Sequence, residues 1–396
     1  MFDEVIEFIR RYFQKSDEVI PLHAPLFVGN ERKYVLDAID STFVSSVGPY
    51  VDRFESMIRD YTGARYSIAT TNGTTALHMA LLVAGVQRDD IVITQPLTFI
   101  ATCNAISYLG AQPAFVDIDQ RTLGMSADKL ETFLKTTASV KNGSCVHVPT
   151  GRKISACVPM HTFGHPAEID RIAEICNQYN IALVEDAAES LGSTYKGRQT
   201  GTFGLLGSYS FNGNKTITCG GGGMIVTNNQ ELARLAKHLT TQAKVPHPWD
   251  FVHDEIGYNY RLPNLNAAMA CAQLEQLDHF ITIKRALALA YKGFFERHQI
   301  TFVDQPEGAN SNFWLNAILL SDRNERDAFL RHANEKGVTS RPAWTLMPKL
   351  EMFRNSICGD ISTALDLEAR LVNIPSSVKP EQDSREPREP FSITKG

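Results

Sequence analysis

The sequence predicts an α/β fold with a large domain, built on a mainly parallel sheet flanked by helices, and a smaller C-terminal α+β domain. The chain has 396 residues, of which 43% are hydrophobic, and this length exceeds what one hydrophobic core usually serves. Between residues 66 and 227, short β-rich runs alternate with helical stretches, as in a parallel sheet covered on both faces. After residue 230 the pattern is richer in helices and has few strands, such as FWLNAILL.

The domain boundaries follow from this pattern. Residues 1–20 form an N-terminal helix and arm, beginning with the amphipathic run FDEVIEFIRRYF, and residues 30–61 read as helical with a break at SSVGPY. The large domain spans 21–275 and the small domain 276–380. The segment from Val378 to Gly396 is rich in Pro, Glu and Lys with few apolar side chains, which predicts a loosely attached tail at residues 381–396.

Within the large domain, two helices and five strands have clear signals. One helix begins at Gly73 and runs through TTALHMALLVAG, with Gly85 as its stop, and another begins after Ser126 as its cap. The strand-like runs are IVIT, PAFVDI, ISACVPM, IALVEDA and GMIVT.

The bulk composition argues against several classes of partner. The net charge is -5 and the basic residues are scattered, so neither nucleic acid nor an anionic membrane is expected as a partner. The N-terminal run carries charges that a signal peptide would not tolerate, and we expect no membrane-spanning segment. Seven cysteines without a CxxC pair read as reduced thiols, which favours a cytoplasmic protein.

Lys215 lies in the segment GSYSFNGNKTITCGGGGMIVT, between two strand-like runs. A lysine among small and polar residues between buried elements can be desolvated and act as a Schiff-base nucleophile. The alternative is an ordinary solubilising lysine. The glycines 220–223 lack the GxGxxG spacing with a following helix, so they predict close backbone packing and no dinucleotide fingerprint.

Two further segments carry candidate functional groups. Asp186 ends the buried strand in IALVEDAAES, and ligand-binding residues of parallel sheets lie at the carboxyl ends of strands. The alternative is that Asp186 caps a following helix. In ATTNGTTALHMAL, a polar turn opens a strong helix, so free backbone N–H groups at Gly73, Thr74 and Thr75 predict an anion site, with simple helix capping as the alternative.

Together these segments resemble the DegT/StrS-type sugar aminotransferases, enzymes of fold type I that depend on pyridoxal 5′-phosphate (PLP). The resemblance runs from PLHAPLF near residue 21 to LVNIPSS near residue 377. It rests on SSVGPYVDRFE, NGTTALHMAL, QPLTFIATCNAI, FVDID, HTFGHPAEID, VEDAAESLGS, SYSFNGNK, GGGGMIVT and GYNYRLPNLNAAMACAQL. It implies a seven-stranded type of sheet and a homodimer with active sites at the subunit interface.

The resemblance also implies a role for individual residues. Lys215 would hold PLP as a Schiff base and shuttle a proton, and Asp186 would pair with the pyridine nitrogen, which makes the ring an electron sink. The remaining expected contacts are Gly73, Thr74 and Ser210 to the phosphate, Phe99 stacked on the ring, and Asn259 reaching the cofactor phosphate of the neighbouring subunit.

Glu189 departs from the commonest family pattern, which has Gln next to the 3′ oxygen of the cofactor. A carboxylate facing a phenolate is unfavourable, so Glu189 is expected to be protonated or to share a proton with the cofactor. The alternative is that Glu189 is simply a carboxylate at the start of a helix.

Three substrate contacts are predicted on weaker grounds. His165 would line the floor of the active site, Arg261 would contact a carboxylate or pyrophosphate, and Trp344 would pack against the sugar nucleotide. Arg261 is equally compatible with a structural ion pair, and Trp344 with filling a domain junction. His161 and His165 have the spacing of zinc ligands on a helix, but Gly164 and Pro166 interrupt any helix there, so no metal site is expected.

The implied reaction is a ping-pong exchange. Glutamate donates its amino group and leaves as 2-oxoglutarate, and the pyridoxamine form of the cofactor passes the group to a keto-sugar. The segments PLHAPLFVGN, IDSTFVSSVGPYVDRFE and RPAWTLM resemble most the subgroup that aminates C4 of UDP-linked 4-keto-6-deoxy-N-acetylglucosamine, towards bacillosamine or legionaminic acid. The alternatives are a GDP- or dTDP-linked keto-sugar aminated at C3 or C4, and a non-catalytic PLP-binding regulatory protein.

Overall fold

The structure is a computed structural model that describes residues 1–379. The predicted tail, 381–396, lies outside the described residues. The helices are α1 Phe2–Phe13, α2 Glu31–Asp40, α3 Pro49–Thr62, α4 Gly73–Val83, α5 Ile100–Tyr108, α6 Ala127–Thr137, α7 Ile169–Gln178, α8 Gln230–Thr240, α9 Asn264–Leu274, α10 Leu277–Arg297, α11 Arg323–Glu335 and α12 Ser362–Arg370. Short 3₁₀ helices lie at Thr162–Gly164, Met347–Lys349 and Glu351–Phe353.

The strands alternate with these helices through the first two thirds of the chain. They are β1 Tyr66–Thr70, β2 Ile91–Thr94, β3 Gln112–Phe115, β4 Ala138–Lys141, β5 Ser144–His147, β6 Ile154–Val158, β7 Ala182–Asp186, β8 Thr194–Tyr195, β9 Arg198–Gln199, β10 Leu206–Ser210, β11 Gly223–Thr227, β12 Lys244–Val245, β13 Val252–His253, β14 Thr301–Phe302, β15 Ala309–Asn310, β16 Asn316–Leu319, β17 Arg341–Pro342, β18 Ile357–Cys358 and β19 Leu371–Ile374.

The central sheet has the order β1-β11-β10-β7-β6-β2-β3-β18. Its strands pair in parallel except where β11 runs antiparallel to β1 and β10. Strands β2, β6 and β11 are buried along their whole length, so their apolar runs show no alternation. The predicted mainly parallel α/β sheet is therefore confirmed.

The sheet has eight strands where the resemblance implied seven. The additional strand, β18, is two residues long and pairs with β3 at the edge. It comes from the part of the chain that was expected to form the small domain. A two-residue pairing has no periodicity of its own, so only contact with the edge of β3 identifies it as a strand.

Helix α4 lies at the centre of one face of the fold. Residues 76–81 are all buried, so the helix is apolar on every side, as expected for a helix enclosed by other elements. Its N-cap, Asn72, accepts the Thr75 N–H at 2.9 Å, while the Thr75 hydroxyl lies 3.2 Å from the Asn72 N–H, which closes a capping box. The predicted start at Gly73 is confirmed, and Ser126 caps α6 as expected.

The N-terminal helix packs against the C-terminal part of the chain. Val5, Ile6 and Ile9 of α1 share one apolar cluster with residues of α10, α11, β16 and β19. Next to them, β14, β16, β19 and β17 form a four-stranded antiparallel sheet. The proposed division at residues 20, 275 and 380 stays a prediction. Within residues 1–379, no helix is both long and apolar enough to cross a membrane.

Candidate active site

A cavity of about 550 Å³ lies where β7 and β10 end and helix α4 begins. Parallel strands direct their carboxyl ends towards one edge of the sheet, where helix N-termini also lie. The residues that line it are Asn72, Gly73, Thr74, Thr75, Leu77, Phe99, Ala101, Tyr108, Met160, Asp186, Ala188, Glu189, Ser210, Asn212, Asn214, Lys215, Trp314 and Trp344. Nine of the residues singled out from the sequence are among them: Gly73, Thr74, Thr75, Phe99, Asp186, Glu189, Ser210, Lys215 and Trp344.

Lys215 is held in the loop between β10 and β11, and its side chain is 13% exposed. Its Nζ lies 3.3 Å from Oε1 of Glu189 and 4.0 Å from the centroid of the Trp314 ring. A neighbouring carboxylate and an aromatic face both attract an ammonium group. The amine is therefore held inside the cavity, which a solubilising lysine would not be.

Glu189 is buried and has two partners. The backbone N–H of Phe163 donates to Oε2 at 2.9 Å, and Lys215 contacts Oε1. Burial raises the pKa of Glu189 to about 7, although Lys215 and the Phe163 N–H oppose the rise; the charge of Asp186 adds to it. No helix begins at Glu189, so the alternative of a helix-start carboxylate is wrong. The expected protonation near neutral pH agrees with this pKa.

Asp186 ends β7, and both of its carboxylate oxygens accept hydrogen bonds. The Thr102 hydroxyl donates to Oδ2 at 2.7 Å, and the Ala188 N–H donates to Oδ1 at 3.2 Å. The residues that follow form turns, so the alternative that Asp186 caps a helix is wrong. The carboxylate instead borders the cavity from the strand end.

The start of α4 closes the cavity opposite these carboxylates. A Cβ on Gly73 would lie 2.7 Å from Cβ of Ser210, so only glycine allows this close approach. Thr74 and Ser210 line the cavity at this end, and Ser210 Oγ would lie 3.0 Å from a Cβ on Gly73. The expectation that the Thr75 N–H is free is wrong, because it donates to the Asn72 cap, but the Gly73 and Thr74 N–H groups and the helix dipole at this end favour a phosphate.

Aromatic side chains form one wall. Phe99 is 48% exposed, and its ring centroid lies 6.1 Å from that of Trp344, which is 5.2 Å from Phe163. An exposed phenyl face in a cavity is suited to packing on a flat ring.

Three predicted residues lie elsewhere. His165 does not line the cavity: it is buried, its ring packs on Phe313, and burial lowers its pKa to about 4. The expectation that it forms the floor is wrong, because the turn that contains Gly164 directs it into the core. Arg261 borders a separate cavity with Lys244 and His247, and Asn259 is exposed beside it.

Nearby, His161 is paired with Glu185 at 3.0 Å and accepts the Ala167 N–H. Among residues 1–379, no cluster of three or more His, Cys, Asp or Glu side chains could hold a metal ion.

Several lining residues were missed from the sequence. Asn212 and Asn214 stand beside Lys215 in SYSFNGNK and could have been found from that motif. Trp314 had no such signal, since it reaches the cavity from a distant segment, where its Nε1 donates to the Asn214 carbonyl at 2.6 Å. Thr102 lies behind Asp186 and is visible only through its hydrogen bond.

These groups fit PLP: an amine, a strand-end carboxylate, a helix N-terminus and an aromatic wall surround one cavity. The fold and the cavity therefore define an enzyme of the PLP-dependent aminotransferase class. Residues 27–386 match the DegT/DnrJ/EryC1/StrS aminotransferase family. The chain belongs to this family and is a PLP-dependent sugar aminotransferase, as the sequence predicted.

Similar proteins support the assignment of the chain to this family. GDP-perosamine synthase of Escherichia coli O157:H7 is 38% identical over 357 residues, covering 90% of this chain and 93% of the relative. GDP-perosamine synthase of Caulobacter vibrioides is 34% identical over 361 residues, with 90% and 93% covered. A DegT/DnrJ/EryC1/StrS aminotransferase from Brucella abortus has a similar structure, with a TM-score of 0.79, 26% identity and 88% and 90% of the two chains covered. These relatives do not single out the UDP-bacillosamine subgroup.

Proposed function

We propose that this enzyme moves an amino group from L-glutamate to the C4 ketone of a nucleotide-linked 4-keto-6-deoxyhexose, with a GDP-linked sugar as the first candidate. The observation that carries the proposal is the position of Lys215, whose amine faces Glu189 in a cavity that Asp186 and the start of α4 also border. The regulatory alternative, a PLP-binding protein without catalysis, is disfavoured because the chain belongs to a family of aminotransferases.

The lining residues would hold PLP at its two ends. Gly73, Thr74 and Ser210 would bind the phosphate, Asp186 would pair with the ring nitrogen, and Phe99 would cover one face. PLP supplies an electron sink that stabilises negative charge on the carbon bearing the amino group. Trp314 and Trp344 border the remaining space, and their side chains would exclude water from it.

The protein's own acid–base groups would move the protons. Lys215 is the lysine among the residues that line the cavity. Its Nζ would take a proton from one carbon of the reacting groups and return it to another. Glu189 lies 3.3 Å from that amine, and a pKa of about 7 lets it gain or lose a proton near neutral pH. The pair would thereby keep one proton available beside the reacting atoms.

The nucleotide is proposed from relatives and from sequence segments that point in different directions. Two GDP-perosamine synthases, 38% and 34% identical, favour a guanine nucleotide. The segments PLHAPLFVGN and RPAWTLM favour the second candidate, a UDP-linked N-acetylated 4-keto sugar. Both candidates have the ketone at C4, so the reaction is the same and only the recognition of the base and of C2 differs.

The enzyme is tested with glutamate and each of the two keto-sugars in separate reactions. We expect 2-oxoglutarate to form together with an amino sugar detected by mass spectrometry, faster with the GDP-linked substrate. Lys215→Ala removes the reacting amine and should abolish both products, whereas Lys237→Ala, at an ion pair with Glu55 outside the cavity, should not. Turnover of neither sugar by the PLP-loaded enzyme would contradict the proposal, and preference for the UDP sugar would select the second candidate.

We also propose that the active unit is a homodimer. Trp249, Phe251 and Ile256 are 76%, 80% and 88% exposed in the segment that precedes Asn259. Large apolar side chains grouped on one surface segment indicate a protein contact. A second copy of the chain is the partner implied by the resemblance, with Asn259 reaching the cofactor phosphate of its neighbour.

A further inference from the structure

Thr102 is a buried side chain that contacts Asp186 from behind the cavity wall. It lies on α5, is fully buried, and donates its hydroxyl hydrogen to Oδ2 of Asp186 at 2.7 Å. The distance is typical of a hydrogen bond to an ionised acceptor. Thr102 is not among the residues that line the cavity.

This use of a helical threonine is unusual within the chain. Thr62, Thr132 and Thr240 each donate to the backbone carbonyl four residues earlier in their helices. That local bond is the common arrangement for a threonine inside a helix. Thr102 lies in the first turn of α5, where the residue four positions earlier, Thr98, precedes the helix, so no helix-internal bond of this kind is open to it and its hydrogen goes to β7.

A second hydroxyl, that of Thr98, lies beside the hydroxyl of Thr102, and the bond to Asp186 decides which of the two is the donor. The oxygens of Thr98 and Thr102 are 2.8 Å apart. Because the hydrogen of Thr102 goes to an ionised carboxylate, which has none to give, Thr98 must be the donor between the two threonines. The order Thr98 to Thr102 to Asp186 therefore has one consistent direction.

We propose that Thr102 is a positioning residue for Asp186, because its hydrogen bond holds the carboxylate in one orientation at the wall of the cavity. The Ala188 N–H holds the other oxygen at 3.2 Å, so the two donors together prevent the carboxylate from turning. The inference rests on the proposed function in that it takes Asp186 as the partner of the PLP ring.

The test compares PLP binding by three variants of the full chain. Thr102→Val keeps the shape of the side chain and removes the hydroxyl, and Thr102→Ser restores it. Thr94→Val is the matched control, since Thr94 is also fully buried, on strand β2 of the central sheet, but donates to the Val158 carbonyl and not to Asp186. The dissociation constant of PLP is measured by absorbance titration of the apoenzyme, alongside thermal unfolding.

We expect Thr102→Val to bind PLP about tenfold more weakly, the effect of a hydrogen bond to a charged group. Thr102→Ser should behave like the wild type, and so should Thr94→Val even where its melting temperature falls.

Two outcomes would overturn the inference. One is wild-type affinity for PLP in Thr102→Val, and the other is an equal loss of affinity in Thr94→Val, which would reveal a general effect of a missing buried hydroxyl. If the wild-type protein itself binds no PLP, the proposed function fails as well. Wild-type binding of PLP without turnover of either sugar would leave the role of Thr102 intact.

Discussion

The protonation of Glu189 depends strongly on the groups that surround its side chain. The side chain is buried, and only one ammonium group and one backbone N–H compensate for the lost solvation. Its pKa of about 7 is therefore raised well above the ordinary value of 4.5. A glutamine at this position would keep the contact with the Phe163 N–H but could not exchange a proton.

We predict that Glu189→Gln changes how the stability of the apoenzyme depends on pH. Between about pH 4.5 and 7 the folded wild type retains a proton that the unfolded chain has lost, so its stability falls as pH rises through this window. Glu189→Gln carries no group that titrates here, so its stability does not fall in this way. Across the window its free energy of unfolding should therefore rise by up to about 3 kcal/mol relative to that of the wild type. Urea unfolding at several pH values measures this, and parallel curves would refute the prediction.

At the scale of an element, helix α4 combines two tasks at one end. Asn72 caps the helix, and the same residue borders the cavity where phosphate binding is proposed. Asp322 caps α11 by accepting the Asn324 and Glu325 N–H groups, at a site remote from the cavity. A comparison of variants at the two caps therefore separates the effect of a cap on stability from its effect on anion binding.

We predict that Asn72→Ala and Asp322→Ala each lower the free energy of unfolding by about 1 kcal/mol, the usual cost of a lost cap. Only Asn72→Ala should also weaken PLP binding, because the first turn of α4 would be less well ordered around the phosphate. Chemical denaturation and absorbance titration measure the two effects. Equal PLP affinity in both variants would show that the cap is structural only.

At the scale of the whole molecule, the fold brings segments that are far apart in the sequence into contact and leaves one apolar segment exposed. The N-terminal helix packs on α10 and α11, and β18 extends the central sheet from a segment far along the chain. The segment with Trp249, Phe251 and Ile256 remains exposed, and Asn259 lies outside the cavity of its own chain. An isologous dimer would bring the segment of each subunit to the site of the other.

We predict that two inactive variants complement each other. Lys215→Ala should lack the reacting amine, and Asn259→Ala should lack the contact made to the neighbouring site. A mixture refolded together at equal amounts should recover about one quarter of wild-type activity, because half of the dimers are mixed and each contains one intact site. If Asn259 acts within its own subunit, every site of the mixed dimer carries one defect and the mixture gains nothing.

The sequence by itself determined the features that are written in consecutive residues. The α/β alternation, the start of α4 at Gly73, Asp186 at the end of a strand and Lys215 in a polar loop all follow from local pattern, because hydrophobic period, capping and glycine conformation act over a few residues. Only the tertiary structure decided that Trp314 lies over Lys215, that Thr102 holds Asp186, that His165 is in the core and that β18 joins the sheet. These depend on contacts between segments far apart in the chain, where direction and distance are set by the packing of whole elements and leave no periodic trace in the sequence.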